Sequence, residues 1–212
     1  MTPKFSTLLV FLVTCFSATS LYAAELFVSV LDQTGKPLAN AVVESPGNPV
    51  TSAPEAIAII DQVNKRFVPM VIVARTGQSV NFPNNDNIRH HVYSFSAIKQ
   101  FSTELYADNP TSPVTFDKPG IATLGCNIHD SMVGYIYVSD WQDAGVTDAT
   151  GILPFTLASI PEEISVWHPW SNDPDKRRTV STQGVSDGGT LEVRLNITPP
   201  DQVFGFRALS AP

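Results

Sequence analysis

The chain has few of the residues that most chemistry requires. Its 212 residues include two cysteines, four histidines, three methionines and three tryptophans. Two cysteines exclude a disulfide-framed scaffold. Four histidines leave room for one metal centre and little for a second. Charged residues are only 16% of the chain, the formal net charge is −7, and no basic cluster exceeds Lys176-Arg177-Arg178. Nucleic-acid binding therefore lacks its electrostatic footprint. After the first 24 residues no long apolar run remains, so no membrane span is expected in the mature protein.

What is present begins with an export pattern. Lys4 supplies a positive start, Leu8 to Phe16 a short apolar core, and small residues lead to Ala23-Ala24 before Glu25. This order fits a secretory signal peptide over residues 1–24 better than a membrane span, which needs roughly 20 apolar residues. The expected location is the periplasm. Cleavage would remove Cys15 and leave Cys126 as the only thiol. A lone thiol in an oxidising compartment is vulnerable unless buried or ligated, which points to a role for Cys126.

The rest of the chain reads as strands. Leu26–Val30, Ala41–Glu44, Ile57–Gln62, Met70–Ala74, Ser79–Phe82 and Val92–Phe95 are short, β-prone and separated by Gly, Pro or Asx turns. Val114–Phe116, Ile121–Cys126 and Val133–Val138 follow, then Phe155–Leu157, Ile164–Trp167 and Leu191–Leu195. Strands this short and closely spaced imply an all-β antiparallel sandwich. Ala97–Tyr106 carries the one expected helix, and Asp173–Gly189 reads as a polar loop.

The most informative stretch is Cys126-Asn127-Ile128-His129-Asp130-Ser131-Met132. A thiolate, an imidazole and a thioether recur there at three-residue spacing, between two strand-like segments. Upstream, an Asn-rich loop ends in His90-His91-Val92. One Cys, two His and a weak axial Met are the ligand set of a blue-copper electron-transfer site. Side chains alternate along a strand, so His90 shares the face of Val92 and His91 points away. His90 is thus favoured as the second imidazole, with His91 as the alternative. His168, in Val166-Trp167-His168-Pro169-Trp170, lies far along the chain and reads as an aromatic-rich strand end. Individually, Met132 is ordinary core filler and His129 an ordinary surface residue; their coincidence with Cys126 and His90 is what carries the signal.

At these residues the sequence resembles the cupredoxins, and within them plastocyanin and amicyanin. The matching run starts at Phe67-Val68-Pro69, passes through Ile72, Gly77, Val80, Phe82 and Asn84 to His90-His91-Val92, and closes with Cys126 to Val138. The resemblance implies a Greek-key β-sandwich over residues 59–138 and one type 1 copper held by His90, Cys126, His129 and Met132. The arrangement also looks like periplasmic methylamine utilization proteins, which implies a setting in amine oxidation. Val28–Val43 and Thr147–Trp167 resemble a transthyretin-like sandwich, so residues 25–58 and 139–212 read as the two flanks of an accessory β-sandwich. Two departures stand out. His91 occupies the place where the family usually has a bracing Asn, and Ile128 stands where a Pro is common.

The function expected is an electron carrier that exchanges single electrons with a redox donor and acceptor, through the edge of His129 and an apolar patch of Ile88, Met132 and Val133. Asp130 beside that edge favours a basic partner. The alternative is a copper-binding or copper-delivery module. An enzyme is disfavoured, because a second copper centre would need more histidines than the chain has.

Overall fold

A computed structural model describes residues 23–108 and 112–200. The signal-peptide expectation falls almost wholly outside these residues. Among the described residues, strands β1 to β6 are Ala24–Leu31, Val42–Glu44, Ala58–Ile59, Asp61–Val63, Arg66–Val68 and Val71–Arg75. Strands β7 to β12 are Ser79–Asn81, Val92–Ser96, Lys99–Ser102, Val114–Thr115, Gly120–Cys126 and His129–Ser139. Strands β13 to β17 are Ala144–Val146, Ile152–Leu157, Glu163–Trp167, Arg177–Ser181 and Gly189–Arg194. A short 3-10 turn at Pro174–Lys176 is the only helical element among them. No helix of the described residues is long and apolar enough to cross a membrane.

The strands form two sandwiches. In the first, β1 lies between β14, antiparallel, and β17, parallel. A second sheet of order β13-β2-β15-β16 faces it. Alternation along β1 sends Leu26, Val28 and Val30 inward, where they meet Val43, Leu157, Ile164, Val166 and Val193. Both flanks of the chain therefore contribute strands to one core. The middle of the chain builds the second sandwich from a five-stranded sheet, β6-β12-β11-β8-β9, and a three-stranded sheet, β10-β7-β3. Its core is filled by Phe67, Val80, Phe82, Val92, Phe116, Leu124, Cys126, Met132 and Ile136. Pairing is mostly antiparallel, with parallel pairs at β1–β17, β3–β7 and β6–β12 where the chain crosses between edges.

A third apolar cluster joins the two units. Val42 and Trp167 from the first meet Val71 and Tyr137 from the second. Trp167 stands edge-on to Tyr135 at 5.7 Å and tilted against Tyr137 at 5.9 Å. Beside it the Glu44 carboxylate is almost fully buried. It accepts hydrogen bonds from the Ser139 hydroxyl at 2.5 Å and the Tyr137 hydroxyl at 3.2 Å, and Arg177 approaches at 3.5 Å. A buried carboxylate is tolerated only when its oxygens are satisfied in this way.

Two sequence expectations are corrected. Ala97–Tyr106 is not a helix: Lys99–Ser102 is an edge strand paired with β8. Phe101 is held there by stacking on Phe82 at 5.5 Å, a tertiary contact that overrides weak helix propensity. Within Asp173–Gly189, Arg177–Ser181 pairs with β15 rather than looping out. Its sequence looks polar, yet Arg177 lies 5.1 Å over the Tyr137 ring and Val180 packs on the accessory core.

Trp167 is the largest side chain buried between the sandwiches. Truncation by Trp167→Ala is expected to cost about 3–5 kcal/mol, read as a lowered midpoint in urea unfolding. His168 next to it is 1% exposed. Its Nδ1 accepts the Trp170 backbone N–H at 3.2 Å, the Ala39 backbone is its other partner, and burial lowers its pKa to about 4. An unfolded histidine takes up a proton near pH 6.5, which the folded one refuses until about pH 4. Stability is therefore full above pH 6.5 and falls as pH drops toward 4, by about 2 kcal/mol between pH 7 and pH 5 from this group alone. Denaturant titrations at the two pH values should show that loss, and His168→Gln should flatten it.

Candidate metal centre

The Cys-x-x-His spacing folds as a two-residue hairpin turn. Asn127 and Ile128 form the turn, and Cys126 and His129 face each other as a pair across β11 and β12. Opposed residues in an antiparallel pair point to the same face with Cβ atoms roughly 5 Å apart. The register then breaks: Gly125 pairs with Val133, so Asp130, Ser131 and Met132 form a bulge on β12. A bulge re-aims side chains, and this one leaves Met132 inside the core at 1% exposure.

The partner imidazole lies two residues before β8. Val92 pairs with Cys126, and alternation along this segment makes His90, Val92 and Ser94 fully buried while His91 and Tyr93 stay half-exposed. His90 is fastened by two backbone bonds to Tyr106, each 3.0 Å. Its Nδ1 lies 3.4 Å from Cys126 Sγ, and its ring centroid is 5.2 Å from that of His129. One ligand atom from each of His90, Cys126 and His129 falls within 4.8 Å of the others. Met132 belongs to the same core cluster as Cys126. His91 is not in this group; its Nε2 meets the Ser102 hydroxyl at 2.7 Å, and its backbone carbonyl accepts the Asn127 N–H at 3.3 Å. The brace between the histidine segment and the metal loop is therefore made by backbone. His168 sits in the accessory sandwich, away from the cluster.

Asp86 is part of the site, and the sequence reading overlooked it. Its Oδ2 lies 3.0 Å from His90 Nε2 and accepts the Lys65 backbone N–H at 2.7 Å, with the side chain 8% exposed. The Lys65 N–H, aided by His90, lowers the Asp86 pKa. The carboxylate holds the Nε2 proton, which leaves Nδ1 free to face the thiol. Asn84 supports this loop, donating to the Ile88 and Tyr106 carbonyls at 2.9 and 3.1 Å and accepting the Asp86 N–H at 3.0 Å. Below it, Gln62 donates to the Tyr106 hydroxyl at 2.6 Å, and burial pushes the Tyr106 pKa up to about 12.

No protein-family model matches the sequence, and no curated protein does. Solved structures do resemble parts of it. A purple cupredoxin from Nitrosopumilus maritimus is 22% identical over 40% of this chain and 100% of its own, with a TM-score of 0.35. Amicyanin from Paracoccus versutus is 17% identical over 46% of this chain and 97% of its own, with a TM-score of 0.36. A copper-containing nitrite reductase from Thermus scotoductus is 24% identical over 52% of this chain but only 28% of its own, with a TM-score of 0.37.

The donor set suits a soft, redox-active metal. His129 Nδ1 is buried and has no hydrogen-bond partner among the described residues. Burial and the neighbouring His90 lower the His129 pKa, which favours the neutral ring that metal binding requires. A His129 ring nitrogen, a His90 ring nitrogen and Cys126 Sγ lie within 4.8 Å of one another, and a bound ion would draw on all three residues. Of the apolar patch expected around His129, Met132 is buried, Ile88 is half-buried and Val133 is 39% exposed; Ile128 at the turn, outside that expectation, is 48% exposed. Asp86→Ala would remove the group that orients His90. Metal affinity is expected to fall about 10–100-fold, measured by competition with a chelator, while the unfolding midpoint moves little.

Proposed function

We propose that the chain is a periplasmic type 1 copper protein that carries single electrons between protein partners. Its ligands would be His90, Cys126 and His129, with Met132 as the weak axial group. The observation that carries the reading is the convergence of two imidazoles and one buried thiol around the unpartnered His129 Nδ1. A copper ion held there supplies a one-electron couple, and a thiolate with two imidazoles suits both of its oxidation states.

Each residue has a definable task. Cys126, 2% exposed, is shielded from oxidants and other thiols. Asp86 fixes the His90 ring, and the short turn fixes Cys126 against His129. Rigid strands on both sides limit rearrangement when charge changes. His129, half-buried at the turn, is the shortest way from the centre to the surface. The buried thiol and fully buried His90 favour retention of metal over hand-off, so electron transfer is preferred to copper delivery. An electron carrier also needs no second metal centre. The amine-oxidation setting suggested by the sequence resemblance belongs with this proposal.

Titration of the metal-free protein with Cu(II) tests it. An intense visible charge-transfer band is expected at one equivalent, and it should vanish in Cys126→Ser. A folded protein whose Cu(II) complex is colourless would exclude the type 1 assignment.

A further inference from the structure

The metal loop borders a cleft of about 720 Å³ that lies between the two sandwiches. One wall is the start of β5 and the residues after it, with Lys65, Arg66, Val68 and Pro69. The other comes from the accessory sandwich, with Trp170, Pro199 and Pro200. Ser131 and Val133, on either side of Met132, complete the lining. The site is thus composite: neither sandwich encloses it alone.

Its charge runs against that of the molecule. The chain is net acidic at −7. Among the described residues, the cleft lining nevertheless contains two cations and no carboxylate. Lys65 and Arg66 are both exposed, and neither enters a salt bridge among the described residues. Asp130 lies on the other side of the loop, in a separate groove with Tyr93 and Phe95. The nearest carboxylates on this hairpin, Asp61 and Asp86, do not line the cleft and are engaged by Asn85 and His90, so the charges that line the cleft are the two cations. The lip is apolar: Val68 is 46% and Val133 39% exposed. A small anion could neutralise the cations but would leave that lip in water. A protein face covers both.

We propose that the cleft receives an acidic, apolar-tipped segment of the protein that exchanges electrons with this chain, with the accessory sandwich supplying one wall of the dock. The proposal rests on the electron-carrier reading above. Docking there would place the partner against Ser131 and Val133, beside the ligand loop, and would make the accessory sandwich a determinant of partner choice. Apolar contact supplies the affinity, and the cations reject basic partners.

The test uses metal-free protein and nitrogen-15 NMR. The probe is an acetylated, amidated peptide, Asp-Asp-Leu-Phe-Asp-Asp, with Lys-Lys-Leu-Phe-Lys-Lys as its control. Saturable shifts are expected at Lys65 to Met70, Ser131, Val133 and Trp170 with the acidic peptide and not with the basic one. Arg66→Glu and Val68→Asp, both at exposed positions, should each weaken binding about tenfold without changing the rest of the spectrum. Shifts centred on Tyr93 and Phe95, equal binding of the basic peptide, or the same pattern from sodium acetate alone would overturn the proposal. So would a cleft filled by a second copy of the chain, seen as a concentration-dependent dimer, or binding that emerges only after deletion of residues 201–212. Copper loading separates the two claims. Without a charge-transfer band the electron-carrier reading falls whatever the peptide does; with the band but no binding in the cleft, only the docking claim falls.

Discussion

A buried imidazole nitrogen with no partner among the described residues is the constraint around which the site is organised. Leaving His129 Nδ1 unsatisfied costs about 1–3 kcal/mol, a large fraction of a domain's net stability. A flexible loop would relieve that cost by rotating the ring into water. Here the ring is held by a two-residue turn at the end of β11 and β12, and Cys126 opposite it is locked into the core. The sheet therefore keeps an arrangement that is unfavourable by itself and favourable once an ion accepts the lone pair. On the copper reading proposed above, that is the physical content of a pre-organised site: the protein bears the cost of convergence during folding rather than at binding.

Convergence depends on a second restraint, at His90. His90 has no freedom on its backbone, because Tyr106 takes both of its main-chain groups. Its ring orientation is set by Asp86, and Asp86 is set by the Lys65 N–H at the tip of the β4–β5 hairpin. Asn64 and Lys65 at that tip both have positive φ, 52° and 58°, the geometry of a turn that suits the right-handed twist of the hairpin. A turn more than twenty residues upstream thus helps to decide which nitrogen of His90 faces the thiol. The same hairpin continues through Arg66 into Val68 and Pro69, so one element both orients a ligand and walls the cleft beside it.

How much of this was readable in the sequence follows from the kind of pattern each feature makes. Period-two alternation separates His90 from His91 because Val92 marks the inward face, and the structure puts His90 inward. The Cys126–His129 pairing was visible as spacing, although the sequence reading took one loop where the chain makes a turn followed by a bulge. Asp86 was not readable: it acts through hydrogen bonds within an irregular Asn-rich loop, where no period marks a direction. The strand at Lys99–Ser102 was missed because local propensity in that segment is weak and the stacking of Phe101 on Phe82 decides. Arg177–Ser181 was missed for a related reason. Its basic residues look solvated, and only the opposing Tyr137 ring and Glu44 carboxylate explain why they lie in a sheet.

The accessory sandwich changes what the metal unit is able to recognise. A sandwich carrying its ligands at one end presents a convex tip, and a convex tip offers little to distinguish one partner from another. Here the two chain flanks close over a shared core and press Trp167 against Tyr135 and Tyr137, close to the ligand-bearing strand β12. The buried Glu44 then ties β2 to β12 through Ser139 and Tyr137. These contacts are specific in direction as well as apolar, so they fix the angle between the units and not merely their proximity. With that angle fixed, Trp170 and Pro199 stand opposite Val68 and Pro69 at a set distance, and the tip acquires a concave side. On the docking proposal, partner choice becomes a property of how the two sandwiches are joined, whereas the geometry of the His90, Cys126 and His129 cluster remains a property of the middle unit alone.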